Sequence, residues 1–153
     1  MANTYSSLFA QTIFAVKYRN ALIQPEWKTE FLSVIGNLIN ETDCKLLIVN
    51  GVSDHVHCLI GFKPTHSISK VIQSVKGKSS KWLNESNYLK SRFEWQDGFG
   101  SFTYSRGQID QVYHYILNQE KHHKKVNFLE EYEKMLIKYQ VGYDREYIFK
   151  APE

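Results

Sequence analysis

Between His55 and Phe62 the chain reads HVHCLIGF, and its alternation commits a strand to two unlike faces. Successive side chains on a strand point to opposite sides of a sheet. Val56, Cys58, Ile60 and Phe62 therefore face one way, and His55, His57, Leu59 and Gly61 the other. The first set suits a core beneath helices. The second puts two imidazoles at i and i+2 on one face, where they can hold a metal ion, and core packing alone gives little reason for both. This face is expected to be open.

The surrounding pattern supplies the rest of a fold. Leu8, Ala10, Thr12, Phe14, Val16 and Tyr18 alternate with Gln11, Lys17 and Arg19 and read as a long first strand. Pro25 opens a helix with the apolar stripe Trp27, Phe31, Val34, Ile35 and Leu38. Residues 44–49 form a short buried strand, 50–54 a turn, and 55–62 the next strand, so the two make a hairpin. Ser67 caps a second helix with the stripe Ile68, Val71, Ile72, Val75 and Trp82. A fourth strand ends near Tyr104. Ser105 to Gln108 is a capping-box pattern opening a third helix through about Lys121, and Asn127 to Glu130 repeats it for a last helix. The order β-α-β-β-α-β followed by two helices predicts an α+β, ferredoxin-like split βαβ fold: an antiparallel four-stranded sheet with two packing helices, a C-terminal helix and a further helix.

Length and composition set outer limits. A chain of 153 residues reads as a single domain spanning 1–153. Its two cysteines lack metal-type spacing and read as free thiols of a reducing cytoplasm. No signal peptide or membrane-spanning run is evident. Ten tyrosines could serve packing, a dimer interface or base stacking. Net charge is +3, yet residues 55–84 hold no acid and five lysines, Lys63, Lys70, Lys76, Lys78 and Lys81. That segment is either a footprint for a phosphate backbone or a solvated helix face.

On the third helix, at about 100° per residue, Ile109, Val112, Tyr113 and Ile116 form one apolar stripe, which assigns Tyr113 to packing. Tyr115 lies on the flank with Gln119 one turn above it, so both could face a shared ion and substrate. His122 shares that flank. The pair His122-His123 could buttress a ligand or touch DNA, but a solvated helix end fits it better.

In this combination the chain resembles the small single-tyrosine HUH transposases of compact insertion sequences and their REP-associated relatives. The resemblance rests on Asp54-His55-Val56-His57-Cys58-Leu59-Ile60, on Trp95-Gln96-Asp97-Gly98-Phe99-Gly100, and on Tyr115-x-x-x-Gln119. It implies a transposase that cleaves and rejoins single-stranded DNA at element ends, with Tyr115 attacking the scissile phosphate to leave a 5′-phosphotyrosine link. It further implies a divalent metal, Mg²⁺ or Mn²⁺, held by His55, His57 and Gln119, and a homodimer whose sites form either in cis or in trans. Lys63, Lys70, Lys76, Lys78, Lys81 and Arg106 are the candidate phosphate contacts. Two other functions fit less of the pattern. A rolling-circle replication initiator or relaxase shares the metal–tyrosine chemistry, and a silent single-strand nucleic-acid-binding domain would use the sheet and the basic helix alone.

Overall fold

The computed structural model of the chain describes residues 4–20 and 22–144. Four strands, β1 (Leu8–Ala15), β2 (Lys45–Val52), β3 (His55–Phe62) and β4 (Gly100–Tyr104), form one sheet in the order β2-β3-β1-β4. Every neighbouring pair is antiparallel. Helix α1 (Pro25–Glu41) joins β1 to β2, and α2 (Ile68–Glu85) joins β3 to β4. After β4 come α3 (Ile109–Leu117), the single turn α4 (Gln119–His122) and α5 (Phe128–Lys138). The α+β fold and its split βαβ order are those expected. Pro25 opens α1, the Ser67 side chain accepts from Lys70 N–H, and Asn127 accepts from Glu130 N–H. Each satisfies or avoids a donor that a helix start would otherwise leave unpaired. No helix among the described residues is long and apolar enough to cross a membrane.

The first sheet face forms the larger core. Phe14, Val16, Val56, Cys58 and Ile60 pack beneath Phe31 and Ile35 of α1 and Val71, Ile72 and Val75 of α2. Phe31 is fully buried, edge-on to Phe93 at 5.7 Å and stacked on Trp95 at 5.9 Å. Much of the aromatic content thus serves packing.

The second face is not open, contrary to the expectation. Ile109, Val112 and Ile116 of α3 cover Leu59, while Phe128 and Leu136 of α5 cover Ile13, Ala15 and Phe102. Left bare, those side chains would expose a continuous apolar patch, and the stripes of the last helices need the same burial. Two boundaries also move. β1 stops at Ala15, since Val16 N–H donates to Asp54 O and Lys17 N–H to Glu94 O, and Tyr18 turns to φ 57°. β2 runs on to Val52, with Asn50 opposite His57, so the hairpin turn is only residues 53–54.

Candidate metal centre and nucleophile

His55 and His57 project from β3 beneath α3–α5, both fully buried. A second interaction fixes each ring. Gln11 on β1 donates from Nε2 to the Tyr104 hydroxyl at 2.8 Å, which leaves its Oε1 to accept His57 Nδ1–H at 2.6 Å. Asp54 Oδ1 accepts His55 Nδ1–H at 2.7 Å. Both Nε2 atoms are thereby turned inward, the arrangement that orients metal-ligating histidines.

The third helix does not run through Lys121 as its pattern predicts. Asn50 Nδ2 takes the carbonyls of Ile116 and Leu117 at 3.0 and 3.1 Å, and Asn118 Nδ2 bonds back to His114 O at 2.9 Å. With its carbonyls diverted, α3 ends and α4 restarts at Gln119. Gln119 is fully buried, and His122 and His123 swing over the sheet. The solvated helix end expected for that pair is corrected here, for His123 Nε2 lies 3.1 Å from His55 Nε2.

At the centre sits Glu131 of α5, 3% exposed, a residue that sequence reasoning did not single out. Its Oε1 is 3.0 Å from His57 Nε2, 3.0 Å from His123 Nε2 and 3.4 Å from His55 Nε2. Its Oε2 accepts from the Tyr115 hydroxyl and, at 3.2 Å, from Gln119 Nε2, with His122 Nε2 at 3.3 Å. A buried carboxylate is tolerable only when so surrounded. The sequence-predicted Tyr115, Gln119, His55 and His57 therefore do converge within one chain, and His57 and Tyr115 ring centroids are 5.9 Å apart.

The electrostatics of the cluster point to a cation. Burial would raise the Glu131 pKa, but the imidazoles crowded around it, His123 and His55 foremost, outweigh it and hold the carboxyl far below its usual range. Burial drops His57 to about 4, despite Glu131 beside it, so that ring stays neutral near pH 7. For His55, burial works downward too, but the Asp54 and Glu131 hydrogen bonds prevail and raise its pKa. Burial, reinforced by the Glu131 charge, pushes the Tyr115 phenol well above its usual value.

A neutral His57 that gives Nδ1–H to Gln11 presents a lone pair from Nε2 to a carboxylate oxygen 3.0 Å away. Two acceptors that close repel unless positive charge lies between them. Ligand atoms of His55, His57, His123 and Glu131 all lie within 4.8 Å of one another, close enough to share one ion. Gln119 Oε1, buried and without a hydrogen-bond partner among the described residues, is a further oxygen donor beside them. A divalent cation fits this donor set.

The basic residues lie elsewhere. Lys70, Lys76, Lys78 and Lys81 belong to α2, across the sheet from the cluster. Lys76 spends its ammonium on Gln96 O and Gly98 O at 2.6 and 2.7 Å. Lys63 pairs with Asp43 at 2.5 Å, and Arg106 sits 5.9 Å over the Phe9 ring. Lys63 and Arg106 line a groove at the Phe9 end of β1. None of the six joins the cluster.

The family model described as "Transposase IS200 like" matches residues 4–119, from before β1 to Gln119. The chain belongs to the IS200-like transposase family. Two curated relatives, the transposases for insertion sequence element IS200 of Salmonella typhimurium and Salmonella typhi, are each 29% identical over 85 residues. That stretch is 56% of this chain and 56% of theirs, so the chain spans about half the length of the curated relatives it matches. Among solved structures, a candidate transposase from Deinococcus radiodurans R1 superposes with a TM-score of 0.64 at 23% identity, covering 78% of this chain and 95% of that one. A REP-associated tyrosine transposase bound to a REP hairpin gives 0.61 at 13% identity, covering 82% and 74%. These likenesses establish the fold. His123 and Glu131 lie beyond the segment that the IS200-like family model matches.

Proposed function

We propose that this protein cleaves and rejoins single-stranded DNA at the ends of a transposable element, using Tyr115 as nucleophile and a divalent metal ion. The observation that carries the reading is the convergence of the Tyr115 hydroxyl, Gln119 and the inward Nε2 atoms of His55 and His57 on Glu131. His55, His57, His123 and Glu131 would hold the cation, with Gln119 Oε1 as an added or alternative ligand. Three imidazoles favour Mn²⁺ or a later transition ion over Mg²⁺. Such a cation would polarise the phosphate oxygens and offset charge growing in the transition state.

The protein's own groups supply position and proton control. Glu131 holds the phenol, and Tyr115 keeps its proton while that carboxylate stays anionic. On attack, Tyr115 Oη would bond to phosphorus as the bond to the 3′-oxygen breaks, and the phenolic proton, which Glu131 is placed to pass on rather than keep, would end on the departing 3′-oxygen. The product is a 5′-phosphotyrosine link and a free 3′-hydroxyl, so the phosphodiester is conserved for rejoining. Because one chain brings these groups together, we read the site as formed in cis, and the implied homodimer is not needed to complete it.

The test is a labelled single strand from the flanks of the protein's own gene, incubated with Mn²⁺ or Mg²⁺ and run under denaturing conditions. Wild-type protein and Tyr113→Phe should form a denaturation-resistant adduct, and Tyr115→Phe should not. An adduct that persists in Tyr115→Phe would overturn the assignment. Single-strand binding that ignores chelator, with no adduct under any metal, would favour the silent binding domain.

A further inference from the structure

The cavity beside Tyr115 encloses about 300 Å³ and is bounded by β1, β4, α3 and α5. Tyr115 and Glu131 stand in its wall. Tyr104 and Tyr139 give it aromatic surface and meet edge to face at 5.8 Å. Gln111 of α3 lines it with a side-chain amide that has no hydrogen-bond partner among the described residues. Lys134 and Lys138 of α5 lie at its rim, with no carboxylate in ion-pair distance among the described residues, and Lys138 is 5.4 Å from the Tyr139 ring centroid.

We propose that this cavity seats one nucleotide of the single strand, the one adjoining the phosphate that Tyr115 attacks. The inference rests on the strand-transfer reading and adds to it a binding subsite. Tyrosine rings offer a stacking surface to any base. The Gln111 amide can donate to and accept from a base edge, so it adds preference among bases. Unpaired lysines at the rim suit the flanking phosphates. A volume near 300 Å³ is at the small end for ligand sites and admits a single splayed-out nucleotide but no duplex. Gln11 bonds both to Tyr104 in this wall and to the His57 ring, so a base seated here sits one hydrogen-bonded step from a metal ligand.

The test is a titration of isotope-labelled protein, in EDTA, with each deoxynucleoside 5′-monophosphate, and with ribose 5-phosphate and inorganic phosphate as controls, read by nuclear magnetic resonance. At least one nucleotide should shift the Gln111 side-chain amide and the Tyr139 signals saturably, about tenfold more tightly than ribose 5-phosphate. Tyr139→Leu should weaken that binding about tenfold. Gln111→Ala, an exposed change that leaves the fold intact, should weaken it about fivefold. Equal binding of ribose 5-phosphate or phosphate, shifts located elsewhere, or no saturation would each overturn the proposal. Oligonucleotides with an abasic site walked along the strand separate the two claims. Adducts indifferent to every abasic position sink the subsite alone, whereas nucleotide binding without any adduct sinks strand transfer.

Discussion

At the scale of single residues, protons compete with a cation for the imidazoles of the cluster. His55 has a raised pKa because its hydrogen bonds to Asp54 and Glu131 outweigh its burial. Its contribution to stability is therefore fully present below its unfolded value of about 6.5, and is lost as pH rises through the higher folded value. A ring that keeps its proton cannot ligate, so Mn²⁺ should bind more tightly as pH rises through that same value. Calorimetry at several pH values, in buffers of different ionisation heat, should find protons released on binding; affinity indifferent to pH between about 6 and 8 would contradict this. Glu131→Gln should weaken Mn²⁺ by about tenfold or more, and His123→Ala should do likewise. His55, His57, Tyr115 and Gln119 were legible because motif spacing marks them. Glu131 was hidden beside Glu130 in a first turn, where acids are expected for the helix dipole. Its signal was periodic: it lies at i+3 from Phe128 and i−4 from Met135, a carboxylate inside an apolar stripe.

At the scale of elements, the site depends on how α5 is seated and where α3 stops. The break at Asn118 was not readable from helix periodicity, because its cause is Asn50, a residue distant in sequence on β2. Local capping signals, by contrast, were legible at Pro25, Ser67 and Asn127, since each acts within a few residues of itself. Gly100 of β4 lies against α5, and a Cβ there would meet Tyr132 Cε1 at 2.6 Å. A rigid ring cannot yield that distance cheaply, so Gly100→Ala should cost about 1–3 kcal/mol and displace the helix that carries Glu131. Asn127→Ala removes the cap of the same helix and should cost about 1 kcal/mol. Denaturant unfolding with parallel Mn²⁺ titration checks both. The Gly100 change must lower metal affinity as well as stability, and an unchanged affinity would mean that α5 does not position the ligand.

At the scale of the molecule, one sheet separates two tasks. The face under α1 and α2 is mainly apolar and aromatic, and supplies the rigid support. The other carries the polar cluster among smaller apolar groups. The order of elements followed from the alternation of patterns along the chain. The covering of the second face did not, because nothing local to β3 says where a later amphipathic helix will dock. Phe31→Ala, on the supporting face, should destabilise the fold by about 3–5 kcal/mol yet leave Mn²⁺ affinity of the folded protein within about twofold, as distant sites add independently. Thermal unfolding and metal titration at low temperature measure the two effects separately; a large affinity loss would show that the faces are coupled.

In the proposed reaction the Tyr115 oxygen becomes bonded to DNA phosphorus when a cation occupies the histidine–glutamate cluster. Peptide mass spectrometry of protein incubated with Mn²⁺ and single-stranded flanking DNA, then digested with protease and nuclease, reads that bond directly. The peptide containing Tyr115 should carry a nucleotide mass with Mn²⁺ and none with EDTA. A nucleotide on any other residue, or one on Tyr115 that forms equally well in EDTA, would contradict it.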